Sequence, residues 1–359
     1  VVDEDQLVAE AADVADRLLD EDVIVADEDD PDDPRHGLSL GIVLAYPCRT
    51  LCELDGPLVT IVLPSFNQGE FLDAAIRSVL TQDYSPIECF VVDGGSTDGS
   101  VEIIETHADR LGWWVSEPDR GQAAALNRGF ARGAGRYFGW LGSDDTLLPG
   151  AVGRMVGFLD ARPDVGLVYG DVQWTDRDSQ VTGIGRSRDW DPADLSRGGS
   201  LPLFQPGSLW RQTLWPAVGP FDEDLDYLFD TAFFLRLACT GKATRIPGDP
   251  LATYRVHAAS KSGASTPAKI AEYERFGAYP FEGEQFELLR RTARARQAAY
   301  QRRAAWMLNE THQRARGRRV FLRSLLTSPS ISRGTLRRLA PLFVPAGIVR
   351  AARSRKASS

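Results

Sequence analysis

The hexapeptide Leu58-Val59-Thr60-Ile61-Val62-Leu63 is apolar, rich in β-branched residues, and runs directly into Pro64. It has no polar alternation to give it a solvent face, so it reads as a strand buried on both sides, and the proline ends it because it cannot donate to a sheet ladder. A strand of that kind needs helices over both faces. The following residues supply the first of them: Phe71, Ala74, Ala75, Ser78 and Val79 fall on one face of a helix predicted over 70–80. The next apolar run, 87–92, stops at Asp93-Gly94-Gly95, which completes a βαβ unit. The pattern continues with a helix over 99–107, a strand at 113–116, a helix over 121–132 and a strand at 137–141. Each polar cluster follows a strand, at the sheet edge where α/β folds bind ligands. The expected class is α/β, mainly parallel, over about residues 57–260.

Charge divides the chain differently. Residues 1–35 hold 15 acidic and 2 basic residues, whereas residues 285–359 hold 18 basic residues and only Glu287 and Glu310 as acids. Ends this asymmetric read as solvation or interaction elements outside the main core. The acidic end reads as a solvated segment with a helix through Leu7, Val8, Ala11, Val14, Ala15, Leu18 and Leu19. The basic end has two readings. One is contact with an anionic membrane surface, and the other is a helical pair packed on the rest of the protein. Its sparse aromatic residues and lack of any recognition motif point away from nucleic acid. Cys48, Cys52, Cys89 and Cys239 are too few and scattered for a disulfide framework or a zinc site and read as reduced thiols. No run reaches the roughly 18 apolar residues of a membrane span, and the start lacks signal-peptide character. A cytoplasmic location is expected, with the inner face of the cell membrane as the place of any membrane contact.

The clusters after the strands carry the chemistry. Pro64-Ser65-Phe66-Asn67-Gln68-Gly69 offers backbone groups and a helix start to a nucleotide. Asp93 could accept the imide N–H of a uracil ring, while Asp98 reads as a helix cap. Glu117-Pro118-Asp119-Arg120-Gly121-Gln122, with Asn127 on the next helix, makes either a ribose and phosphate cradle or a capped turn. The strongest cluster is Trp140-Leu141-Gly142-Ser143-Asp144-Asp145. Adjacent carboxylates at a strand end repel each other unless a cation compensates, and hard oxygen donors suit Mg²⁺ or Mn²⁺ on a diphosphate. Asp230 is a lone acid among apolar neighbours at a helix start, as a general base or an N-cap would be. His257, in Tyr254-Arg255-Val256-His257, is one of four histidines in the chain. Trp210 and Trp215 follow Leu203-Phe204-Gln205-Pro206-Gly207-Ser208 and read either as an acceptor-side sugar platform or as core.

Taken in order and spacing, the motifs at 60–67, 91–100, 116–122, 141–145 and 254–257 resemble the family 2 glycosyltransferases, in particular bacterial members that build cell-surface polysaccharides. The resemblance spans about residues 57–262. It implies a GT-A fold, a Rossmann-like, mixed but mainly parallel sheet flanked by helices, here with a basic helical C-terminal extension. It divides the chain into an acidic extension at 1–56, a catalytic domain at 57–262 and a basic region at 263–359. Within the catalytic domain, 57–150 would be the nucleotide-binding half and 151–262 the acceptor half. Pro64, Ser65, Phe66 and Asp93 would hold nucleobase and ribose, with Asn67, Asp119, Arg120, Gly121, Asn127 and Asp144 completing the nucleotide-sugar site. Asp145 would bind a divalent Mn²⁺ or Mg²⁺, His257 would lie near the metal or diphosphate, and Asp230 would be the catalytic base. The chain departs from the family pattern at Ala124, Gly142 and Phe229, where relatives often carry polar or acidic residues.

The implied reaction is a metal-assisted, inverting displacement that moves a sugar from a nucleotide-diphosphate donor, expected to be a UDP-sugar, to a hydroxyl of a glycan or lipid-linked glycan. A dehydrogenase would need a G-x-G-x-x-G turn after the first strand, and a nucleotidyltransferase a glycine-rich basic loop; neither is present in the sequence. The remaining alternative is a degenerate module that binds sugar nucleotides without transfer, against which Asp145 and Asp230 argue.

Overall fold

The computed structural model describes residues 55–257, 260, 261, 263 and 265–343. The expected acidic helix, Cys48, Cys52 and the last basic residues lie outside the described residues. The first strand, β1 (Asp55–Ser65), is an interior strand of a seven-stranded sheet. Val59, Ile61 and Leu63 face one apolar layer and Val62 the other, and all four are buried. The strand is thus covered on both sides, as its unbroken apolar run requires.

Three further strands of this half follow the predicted alternation: β2 (Ser85–Asp93), β3 (Trp113–Ser116) and β4 (Tyr137–Trp140). The order β3-β2-β1-β4 is parallel throughout. Helices Gly69–Leu80 and Ser100–His107 lie between successive strands, as does Gln122–Phe130. The buried stripe of the first helix is Phe71, Leu72, Ala75, Ile76 and Val79, whereas Ala74 is exposed. The large aliphatic residues Leu72 and Ile76 win the core face over the small Ala74 and Ser78, because burial scales with apolar area.

The second half is less regular. Strands β5 (Val165–Tyr169), β6 (Val172–Thr175), β7 (Val181–Gly185), β8 (Ser208–Arg211), β9 (Lys242–Arg245) and β10 (Ala252–Arg255) divide between two sheets. The large sheet continues as β8-β5-β9, with β8 antiparallel to both β4 and β5. A small sheet, β10-β6-β7, stands apart from it. Helix Phe229–Thr240 covers the aromatic side of the large sheet. There Trp210 is fully buried, with ring centroids 5.3 Å from Trp140 and 5.2 Å from Phe233, while Trp215 packs 5.3 Å from Phe130. Trp210 is therefore core, and the partly buried Trp215 packs against that core. Cys89 is also buried, which pushes its thiol up to about 12.

Beyond the small sheet the chain is helical, with Pro267–Phe276, Ala293–Glu310, Arg314–Thr327 and Arg333–Leu339 as its longer elements. No described helix is long and apolar enough to cross a membrane.

Candidate active site

Parallel registry sets three polar residues side by side. Ser65 pairs with Asp93 across β1 and β2, and Asp93 pairs with Ser116 across β2 and β3, all at the carboxyl ends of their strands. Asp93 is fully buried, and its Oδ2 accepts the Gly95 and Ser96 N–H groups (3.1 and 2.8 Å) and the Ser116 hydroxyl (2.7 Å). Among the described residues its Oδ1 accepts only the Ser96 hydroxyl (2.5 Å), which leaves capacity for one more donor on that oxygen. The Ser65 hydroxyl beside it is buried with no partner among the described residues. A buried hydroxyl of this kind at the carboxyl edge of a parallel sheet can bond a polar atom of a ligand or a water.

The surrounding turns are built tightly. Asn67 adopts a left-handed backbone, donates its N–H to Ser96 Oγ (2.7 Å) and accepts the Thr97 N–H (3.0 Å). Asp98 accepts the N–H groups of Gly69 (2.9 Å) and Ser100 (3.2 Å), so one carboxylate serves the starts of two helices. Gly94 lies between the exposed Phe66 ring and the Asp119 carboxylate, and a Cβ there would stand 3.2 Å from both. Asp119 accepts the Gly121 N–H (2.7 Å) and is pushed above the usual range by burial, with Asp93 adding to the effect.

Two of the residues expected at the nucleotide bond to a loop of the chain itself. The Asn127 amide donates to the Phe221 carbonyl (2.9 Å) and Glu223 (3.1 Å) and accepts the Phe221 N–H (2.8 Å). Arg120 bonds Asp224 at 3.1 Å. Both side chains clamp the loop that leads to Asp230.

On the next strand along, Asp144 and Asp145 follow β4. This segment is zipped to β10 by the Thr146 and Thr253 backbone and hydroxyl groups (2.8–2.9 Å) and by the Leu148 N–H on the Leu251 carbonyl (2.9 Å). Arg255, only 4% exposed, holds it in place. Its N–H donates to Asp145 Oδ1 and its Nε to the Asp144 carbonyl, both at 2.8 Å. Its Nη1 reaches the carbonyls of Asp176 and Arg177 and the Ser179 hydroxyl, each at 2.9 Å. The guanidinium also lies 4.7 Å over the Phe71 ring. His257 packs on the same ring (5.0 Å) with Nε2 at 3.2 Å from Asp144 Oδ2. Burial, and then the negative charge of Asp144, hold Asp145 well above the usual carboxylate range. A Cβ at position 142 would come within 2.8 Å of Asp144 Oδ1 and 3.1 Å of Asp145 Oδ2, so glycine there leaves the carboxylates room.

Asp144, Asp145 and His257 are oxygen and nitrogen donors of the kind that would suit a divalent ion if further donors came from outside the chain. Among the described residues no group of three or more His, Cys, Asp and Glu could hold an ion alone. Mg²⁺ characteristically takes one or two carboxylates and completes its shell from substrate phosphates and water.

Asp230 is the second residue of helix Phe229–Thr240, and Leu228 stands at the N-cap. The Asp230 carboxylate accepts the N–H (2.5 Å) and hydroxyl (3.1 Å) of Thr231. It is partly reachable from solvent yet surrounded by protein, and burial raises its pKa against those two bonds. The N–H groups ahead of the helix are held by a residue that the motif reading missed. Glu272, 2% exposed on helix Pro267–Phe276, accepts the N–H of Asp226 (2.8 Å), Tyr227 (2.9 Å) and Leu228 (2.6 Å). Lys261 bonds Asp226 at 2.5 Å, so the segment that puts His257 on Asp144 also braces the Asp230 loop four residues later. Arg255 could have been found in the sequence as a lone cation following Leu251-Ala252, but Glu272 lies in an ordinary amphipathic helix and carries no such signal.

With this geometry in view, the comparisons are unambiguous about family. Residues 60–201 match glycosyl transferase family 2. An uncharacterized glycosyltransferase of Mycobacterium tuberculosis is 30% identical over 186 residues, covering 51% of this chain and 69% of its own. The chain belongs to glycosyl transferase family 2. Among solved structures, residues 1–349 of S. aureus TarS superpose with a TM-score of 0.51 at 15% identity, over 68% of this chain and 71% of that one. The same fragment is also known in complex with UDP-GlcNAc. The mannosyltransferase PcManGT from Pyrobaculum calidifontis, in complex with GDP-Man and Mn²⁺, gives 0.51 at 19% identity, over 85% of this chain and 81% of its own. These neighbours share the GT-A fold with this glycosyltransferase.

Proposed function

We propose that this glycosyltransferase moves a sugar from a UDP-sugar to a hydroxyl of a glycan or lipid-linked glycan of the bacterial cell envelope, with inversion at the anomeric carbon. The observation that carries the reading is the row of Ser65, Asp93 and Ser116 at one sheet edge, with Asp144 and Asp145 after the adjoining strand. The exposed Phe66 ring offers a stacking face to the base, the open lone pair of Asp93 Oδ1 can accept the uracil imide N–H, and the Ser65 hydroxyl can bond the nucleoside. Asp144, Asp145 and His257 would hold a divalent cation, which would supply positive charge for the departing diphosphate. Asp230 takes the proton of the acceptor hydroxyl as that oxygen attacks the anomeric carbon; its raised pKa, caused by burial, makes it a better base than a solvated aspartate. Glu272 and Lys261 keep its loop in place during this transfer.

Calorimetry with UDP tests the donor half of the reading. UDP affinity is expected to be higher with Mn²⁺ than with EDTA, and Asp145→Ala should remove most of that difference. Equal affinity in both buffers for the parent protein would rule out a metal-bridged diphosphate.

A further inference from the structure

The C-terminal helices form an inner and an outer layer. Helix Ala293–Glu310 is inner: its Arg296 is 1% exposed, donates to the Leu289 and Ser196 carbonyls (2.7 and 3.3 Å) and lies 4.8 Å over Phe281. Helix Arg314–Thr327 packs onto that helix and buries Gly317, Phe321 and Ser324, with Arg302 of the inner helix bonded to Ser324 Oγ (3.2 Å) and the Ser328 carbonyl (2.5 Å). The two sequence readings of the basic region therefore fall on different helices. The inner one is packed on the protein, while the outer one has a second face to spare.

That second face has a definite character. At about 100° per residue, Arg318, Arg319, Leu322, Arg323 and Leu326 fall within one arc of roughly 140° opposite the buried stripe. All five are exposed, Leu322 at 52% and Leu326 at 89%. None of the three guanidiniums has a hydrogen-bond or ion-pair partner among the described residues. No acid occurs anywhere in Arg314–Thr327. Past the helix, Leu336 and Phe343 are exposed as well, at 46% and 49%.

We propose that this arc is a docking face for an anionic lipid bilayer. Two aliphatic side chains standing out from a helix gain little from water. A bilayer accepts both kinds of group at different depths: leucine tips enter the acyl boundary while arginine stems reach back to lipid phosphates. Charge complementarity sets the sign of the lipid, since an all-cationic arc favours phosphatidylserine-like headgroups and is indifferent to zwitterionic ones. The proposal stands independently of donor and metal, because it rests on residues remote in sequence from that chemistry.

Flotation of the full chain tests it. Binding is expected to equimolar phosphatidylserine and phosphatidylcholine vesicles at low salt, to weaken as salt rises, and to be absent with phosphatidylcholine alone. Replacing Arg318, Arg319 and Arg323 together by alanine should lower the partition coefficient on the order of 100-fold. The Leu322→Ser/Leu326→Ser variant, which keeps every charge, should lower it by roughly tenfold or more. Both variants alter only exposed positions, so their thermal midpoints should match the parent's. The proposal is overturned if the parent does not float on the anionic vesicles, or if both variants float as the parent does. It is equally overturned if the two leucines instead hold together an oligomer in size-exclusion runs that does not bind vesicles, which would assign the arc to a second copy.

Discussion

The edge of β3-β2-β1 and the segments around Asp145 and Asp230 place their polar side chains by different means. Along β3-β2-β1 each candidate stands at the end of its own strand, and parallel registry alone lines up Ser65, Asp93 and Ser116. Around Asp145 and Asp230 position comes from contacts made far away in sequence: Arg255 holds Asp145 across 110 residues, and Glu272 holds the loop before Asp230 across 44 to 46. One region is set by local continuity and the other is assembled by long-range bonds. Substitutions in the second region should therefore report on assembly as well as chemistry.

The largest effect is expected at Asp230. Asp230→Asn keeps the size and the bond from Thr231 but loses the basic oxygen, so turnover measured with a competent acceptor should fall roughly 10²- to 10⁴-fold with UDP affinity unchanged. Transfer within a few-fold of the parent would remove the base assignment and leave the helix start a purely structural element.

Arg255 sharpens the comparison through stability. Arg255→Ala leaves the half-buried carbonyls of Asp144 and Asp176, and the more exposed one of Arg177, without their donor, and water can replace part of what is lost, so a total loss of roughly 2–4 kcal/mol is expected in denaturant titration. Lysine cannot reproduce a planar fork that serves four acceptors and should rescue little of the loss. If Arg255→Lys unfolded at the parent's midpoint, the acid loop would not depend on that distant clamp.

The smallest effect concerns pH. Burial raises the folded-state pKa of Asp230 above its ordinary value of 3.8. As pH climbs from 3.8 to the raised value, the unfolded chain gives up this proton before the folded one does, so the parent loses stability in that window. Asp230→Asn has no such proton, and its stability relative to the parent should grow across the window and stay constant above it. A gap that shrinks as pH rises would show that the folded state favours the charged form.

Much of the first half was legible because its signals are local. Strand and helix order, the polar cluster after each strand, and the capping role of Asp98 all follow from apolar runs interrupted by glycine, proline and short polar residues. Side-chain employment was less legible. Asn127 and Arg120 have the chemistry of phosphate ligands, but the loop at 221–224 lies close enough to take their bonds. Trp210 and Trp215 could be read either way until the aromatic layer around Phe233 was visible, since no local pattern separates a buried tryptophan from a sugar platform. The small sheet escaped notice because β6 and β7 are short, and β10 reaches β6 only after an excursion through the large sheet.

Glu272 bears on how such chains can be recombined. The stretch that matches the family ends at residue 201, and the motif series ends at His257, yet the carboxylate that organises the Asp230 loop comes from helix Pro267–Phe276. A chimera joined at residue 262 would inherit the loop from one parent and its acceptor from the other. Unless the incoming helix carried a carboxylate at the matching place, three backbone donors would lose their partner at ~1–3 kcal/mol each. A unit exchanged between relatives must therefore reach at least to Phe276, a full helix beyond the last recognisable motif.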